Sequence, residues 1–350
     1  MTDYLNIVIK RQAILERIKS GLVGSYNKEL EKLNALIKQA LLGLEGELSD
    51  TARGKVEKLL RDLRGDLGTV FKGATDALLS DLPKVAALNQ AQEIAALVET
   101  SNVTGTLLEP FAQKRIFAKV VARPLATNGG LLDSFIDDFS KREVKRISDN
   151  IRFGALTGRT NQQIVKDVLG TAPKSYKDGS VSNTRRHAAT MVRTSTQHVA
   201  SAARQEVWEG NPEVVKGYTF VATLDTTTSA ICRSLDKKEF EVGTGPVPPV
   251  HPNCRSTTAA VLDDKFKFLS KGRTRSSAQG PVAADVSFYD WLKGRPEAEQ
   301  KEVLGAKRAE LFKNMSAGKF RDLQFDKNFQ PLTLEEMRIL EPAAFKKAGI

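Results

Sequence analysis

Residues 185–225 read RRHAATMVRTSTQHVASAARQEVWEGNPEVVKGYTFVATLD, and the pattern changes within them. The first part is proline-free and rich in alanine and long side chains, and it stops at Gly210–Asn211–Pro212, where a helix cannot continue. Ser182 or Thr184 is placed to cap its start. From Val214 the residues turn β-branched and aromatic with partial alternation, which predicts a strand. KKEFEV (237–242) predicts a second strand, and GTGPVPPVHPNC (243–254) a long turn. The centre of the chain is thus a helix feeding a small β unit.

Upstream, LLDSFIDDFSKREVKRISDNIRFGALTG (131–158) has Phe135, Ile136, Phe139, Val144, Ile147 and Ile151 on one side and closes at Gly158. Thr160 or Asn161 can cap the helix QQIVKDVLG, ending at Gly170, and TAPKSYKDGSVSNT (171–184) is a loop. Residues 51–100 are helical in pattern, and 101–130, with Gly105, Pro110, Pro124 and Gly129–Gly130, form a connection with short helices. Near the start, Leu15, Ile18, Leu22, Tyr26, Leu30, Leu33, Ile37, Leu41 and Leu44 recur at steps of three and four, which predicts a long amphipathic helix. Gly21 and Gly24 each weaken its middle by roughly 1 kcal/mol relative to alanine, which leaves room for a break there. Its stripe suits either a bundle core or self-association with another copy.

Downstream, KFKFLSKGRTRSSAQGPVAAD (265–285) is basic, then rich in Ser and Gly, and reads as a linker; SFYDWLKGRPEAEQKEVLGAKRAELFKN and PLTLEEMRIL are helical again, the latter with Thr333 and Glu336 in capping-box spacing. The expected fold class is α+β: a helical region over 1–130, an α+β domain over 131–262, a linker over 263–285 and a helical region over 286–350.

The 350 residues are 41% hydrophobic and 27% charged, as in folded globular chains, with a formal net charge of +11 that favours polyanionic neighbours. Lys10 and Arg11 interrupt the early apolar stretch, which argues against a signal peptide, and no run reaches the roughly 18 to 20 apolar residues of a membrane span. Two cysteines do not make a disulfide scaffold. No P-loop, GxGxxG after a strand, HExxH or GxSxG occurs, and Cys254 lies too close to His251, without a glycine-rich oxyanion loop, to suggest a cysteine hydrolase.

Both cysteines and one of the three histidines fall between Asp225 and Arg255. Three readings fit. Cys232, His251 and Cys254 are reasonable zinc ligands, with Asp225, His187 or His198 as a fourth. Cys232 and Cys254 can form a disulfide worth roughly 3 kcal/mol once outside a reducing compartment. Alternatively, they are two buried thiols beside a histidine bonded to backbone. Arg193, mid-helix, would find acidic partners in Asp225 or Asp236 if the helix packs on the β unit.

The ordered set Arg193–Thr194, Asp225, Thr228–Ser229, Cys232, Leu235–Asp236–Lys237, Pro248–Pro249 and His251–Pro252–Asn253–Cys254–Arg255 resembles the Mu protein F-like, or phage head-morphogenesis, family over about residues 140–262. Ser195 stands where that family commonly has Glu, and Ser256 where it often has a further Cys, which removes one possible metal ligand. The resemblance implies a low-copy minor head protein of the virion, made in the bacterial host cytoplasm. It would associate with portal and major capsid proteins and act in head assembly, DNA packaging or ejection. In that setting Lys265, Lys267, Lys271, Arg273 and Arg275 are candidate contacts to double-stranded DNA, made without sequence preference. The alternative is a zinc-dependent nuclease or toxin-like effector carried by the head.

Overall fold

The computed structural model describes residues 4–44, 46–51, 53–101, 113–263, 274–327 and 329–350. It is an α+β protein, 66% helical, with a small antiparallel sheet in the middle. The N-terminal pattern forms α1 (Tyr4–Glu29) and α2 (Lys32–Leu42). The break falls at Leu30–Glu31, beyond the two glycines. A Cβ at Gly21 or Gly24 would meet open space, so nothing there forces a turn. At the actual break, Leu30 and Leu33 are both fully buried in the same core. Next comes α3 (Arg53–Ser101), 49 residues that run through Pro83. An internal proline costs about 3 kcal/mol, and burial of Leu78, Leu82, Val85 and Ala86 around it offsets that cost.

After α4 (Gln113–Val121), α5 (Leu132–Leu156) and α6 (Asn161–Leu169) follow the predicted pattern, and α6 carries a capping box between Thr160 and Gln163. The central helix, α7 (Ser180–Glu209), begins earlier than Ser182 or Thr184 would cap it. The loop before it folds back so tightly that a Cβ on Gly179 would lie 2.2 Å from the Gly170 nitrogen, which only glycine permits. From Thr194 to Trp208 every residue of α7 is buried, as befits a helix covered on all sides.

Strand β1 (Val215–Val221) lies between β2 (Glu239–Glu241) and β3 (Thr257–Leu262), antiparallel to both, with Tyr218 opposite Phe240 and Ala260. A short helix, α8 (Ala230–Leu235), links β1 to β2, capped by Ser229, whose Oγ accepts from the Cys232 N–H at 3.4 Å. The expected linker is in part a hairpin, β4 (Thr274–Ser277) and β5 (Gly280–Ala283). Beyond it, α9 (Phe288–Lys293), α10 (Glu297–Leu304), α11 (Ala306–Lys313), α12 (Ala317–Asp322), α13 (Leu334–Leu340) and α14 (Pro342–Ala348) share an aromatic core of Phe288, Tyr289, Phe312 and Phe320. Thr333 and Glu336 form the expected capping box.

The α1–α2 stripe is consumed inside the chain: Leu15, Tyr26, Leu30, Leu33, Ile37 and Leu41 are buried in the helical core, so the surface expected for self-association is not free. Tyr4, Leu5 and Val8 pack with Trp208, Tyr218 and Ala259, placing the start of α1 on the sheet. The seam is polar at one point. Glu93 of α3, fully buried, accepts from Tyr4 Oη, from Arg11 Nη1 at 2.8 Å and from Trp208 Nε1 at 2.8 Å, while the Ala260 N–H donates to Tyr4 Oη at 3.1 Å. Among the described residues, no helix is long and apolar enough to cross a membrane.

His198, buried in α7, has its pKa pushed down to about 4: burial outweighs the raising effect of the Val120 and Arg123 backbone, and the Arg123 charge lowers it further. A depressed histidine pKa contributes stability above the unfolded value and loses it as pH falls toward the folded one, because only the unfolded chain takes up the proton. His198 should therefore remove up to about 3 kcal/mol as pH falls from roughly 6.5 to 4. Denaturant unfolding at about pH 7 and about pH 4.5 checks this: His198→Gln should lose less stability on acidification than the parent. Equal losses would contradict it.

Candidate functional site

The motif residues converge where β1 ends beneath α7. Asp225 Oδ1 accepts from the Thr227 N–H (3.0 Å), Thr227 Oγ1 (2.9 Å) and Thr228 Oγ1 (3.1 Å), an aspartate turn that fixes the approach to α8. Arg255 closes on the same carboxylate with two bonds, Nη1 to Oδ2 at 2.7 Å and Nη2 to Oδ1 at 2.9 Å. Burial pushes the Asp225 carboxyl up, but the bonds from Arg255, Thr227 and Thr228 outweigh it and hold the pKa below the usual carboxylate range.

Arg255, not Arg193, is thus the partner of Asp225. Arg193 Nη1 instead lies 3.9 Å from Glu16 Oε2 on α1. The helix reaches the Pro-rich loop through its neighbours. Thr194 Oγ1 accepts the Asn253 N–H at 3.2 Å while donating to the Thr190 carbonyl at 2.7 Å, and Thr190 Oγ1 accepts from Asn253 Nδ2 at 3.0 Å. Asn253 has φ of 59°, the left-handed conformation that asparagine tolerates best after glycine.

That turn brings His251 and Cys254 against Cys232. Cys232 Sγ lies 3.2 Å from His251 Nε2 and 3.7 Å from Cys254 Sγ; both cysteines are free thiols and buried. The other imidazole nitrogen, Nδ1, is 2.8 Å from the Pro252 carbonyl, which fixes it as the protonated one. Contact with Cys232 and with the neighbouring His251 pushes the Cys254 thiol well below the ordinary thiol range despite burial. The same contact, with burial, pushes Cys232 up. The fourth-ligand candidates lie elsewhere: Asp225 is engaged by Arg255, His187 Nδ1 sits 2.8 Å from Glu143 Oε1, and His198 faces the α4 end.

A cleft of about 510 Å³ opens beside Cys254 and His251, walled by Glu16, Lys19 and Arg193. Lys19 is the residue that sequence reading missed. It is 1% exposed, and its Nζ donates to Glu16 Oε1 (2.6 Å), Gln197 Oε1 (2.6 Å) and the Cys254 carbonyl (3.3 Å). Burial lowers its pKa.

Asp236 is fully buried, and it is held by Arg275 rather than by Arg193. Nη1 and Nη2 of Arg275 reach its two oxygens at 2.9 and 3.0 Å, and the N–H groups of Ala222 (2.8 Å) and Phe288 (2.7 Å) complete the shell. Arg275 also donates to the Ala222 carbonyl at 2.6 Å and the Val286 carbonyl at 3.0 Å. This corrects the expectation for Arg275: a guanidinium 1% exposed and so engaged is no DNA contact. Lys265, Lys267, Lys271 and Arg273 lie outside the described residues.

Residues 145–259, from the middle of α5 into β3, match the family model described as Phage Mu protein F like protein. The match points to a phage head-morphogenesis protein, and so to a component of the virion. No curated protein and no solved structure matches the chain significantly.

Removing one partner of a buried, fully bonded ion pair strands the other, at a cost of about 3 to 5 kcal/mol. Arg275→Met should therefore destabilise the folded chain by that order in denaturant unfolding, whereas a change within about 0.5 kcal/mol would mark Arg275 as an ordinary surface cation.

Proposed function

We propose that the chain is a portal-associated minor head protein of a tailed phage that contacts packaged DNA without sequence preference and acts in assembly, packaging or ejection. The observation that carries this is the family match over 145–259, and the use made of its motif supports it. Asp225 is bonded to Arg255, Asp236 to Arg275, and Thr194 to Asn253. Each of these pairs fastens one segment to another, an arrangement suited to a scaffold that must hold shape. The net charge of +11 suits a place beside packaged DNA. KFKFLSKGR (265–273) is the segment we assign to the phosphate backbone, with Lys265, Lys267, Lys271 and Arg273 as its contacts.

Mass spectrometry of gradient-purified particles should find the chain in low copy, and its absence from them would overturn the reading. In equilibrium binding to unrelated duplexes, affinity should fall on the order of a hundredfold between low and moderate salt and be indifferent to sequence. Replacing Lys265, Lys267, Lys271 and Arg273 together by alanine should flatten the log–log salt slope by about 0.9 for each phosphate those side chains neutralise. Salt-independent or sequence-selective binding would contradict the DNA assignment, and metal-dependent cleavage of those duplexes would favour a nuclease instead.

A further inference from the structure

We propose that Cys232, His251 and Cys254 are ligands of a zinc ion, with a water molecule from the adjoining cleft as the fourth. Two sulfurs each about 2.3 Å from a tetrahedral ion stand about 3.8 Å apart; here Cys232 and Cys254 are 3.7 Å apart. A disulfide needs about 2.0 Å. A sulfur and an imidazole nitrogen on the same ion stand about 3.6 Å apart, so the 3.2 Å between Cys232 Sγ and His251 Nε2 has to open by only a few tenths. The three ligand atoms lie within 4.8 Å of one another, the one such His/Cys/Asp/Glu group among the described residues.

The surroundings are those of a ligand set held ready. His251 donates through Nδ1 to the Pro252 carbonyl at 2.8 Å, leaving the Nε2 lone pair toward the sulfurs, as metal-bound histidines require. Cys254 and His251 are brought onto one side by a tight turn, in which the Cys254 N–H donates to the His251 carbonyl at 3.2 Å. Asn253, in its left-handed conformation at the turn, is tied to Thr190 and Thr194 of α7. Cys232 comes from the first turn of α8, so an ion joins that helix to the far end of the Pro-rich loop. Both sulfurs are buried, and a divalent ion balances the charge of two thiolates that could not both ionise side by side without it. Two thiolates and an imidazole favour zinc over calcium or magnesium, which take oxygen ligands.

The test uses the full chain, produced with zinc in the medium and dialysed against metal-free buffer. Elemental analysis should find about one zinc per chain, and cobalt(II) exchanged for it should give the thiolate charge-transfer band and intense visible bands of a tetrahedral site. Thiol reagents should react slowly with the holo-protein and quickly once a chelator strips the ion. Cys254→Ser and His251→Ala should lower the metal content, and chelation of the unmutated chain gives the same readout should either variant fail to fold. Less than about a tenth of an ion per chain overturns the proposal. So does a Cys232–Cys254 disulfide in the isolated protein, or zinc that persists undiminished when both cysteines are replaced by serine.

Discussion

A carboxylate that water does not reach holds the middle of this molecule to its C-terminal part. Asp236 accepts from the end of β1 through Ala222, from the hairpin through Arg275, and from the first residue of α9 through Phe288. A buried charge is tolerated only when its hydrogen-bonding capacity is filled, so these three segments must arrive together or the group becomes a liability. Glu93 does the same on the other flank, gathering α1, α3, α7 and, through Tyr4, β3. Between the two stands α7, buried over its second half, with the small sheet fixed at its C-terminal end. The segment 145–259 is therefore not a free module: its neighbours on both sides supply charges that complete its interior.

The candidate site is built on this frame. Asp225 with Arg255 shapes the turn after β1, and Thr190 with Thr194 holds the Pro-rich loop through Asn253. Two cysteines and a histidine then meet beside it. Lys19 extends the frame into the N-terminal region by bonding to the Cys254 carbonyl and to Gln197 of α7.

What the chain revealed beforehand was whatever depends on neighbours in sequence. The helices over 131–158 and 162–170, the caps at Thr160 and Thr333 and the strands around Tyr218 and Phe240 follow from periodicity and local hydrogen-bonding chemistry. The fold class followed from the same signals. Elements defined by distant partners were not visible. Strand β3 is made of Thr, Ala, Val and Leu with little alternation and exists because β1 offers it an edge. Helix α8 is too short for a period to show. Arg275 sits in a run whose average is basic and flexible, and only Asp236, 39 residues away, makes it a core residue. The pairing of Lys19 with Gln197 spans 178 residues and leaves no local trace. Among the candidate residues, Cys232, His251 and Cys254 lie together, whereas Asp225 and Asp236 pair with Arg255 and Arg275 rather than with Arg193, because three arginines of equal chemistry competed for two carboxylates.

Through these bonds Asp236 makes the sheet and the C-terminal helices one cooperative unit. Native-state hydrogen exchange at the two amides it accepts, Ala222 and Phe288, tests this most directly. Exchange of both through a single opening, with the same free energy and the same denaturant dependence, is the predicted result. Rapid exchange at Phe288 while Ala222 stays protected would show that the C-terminal helices come away on their own, and would contradict it.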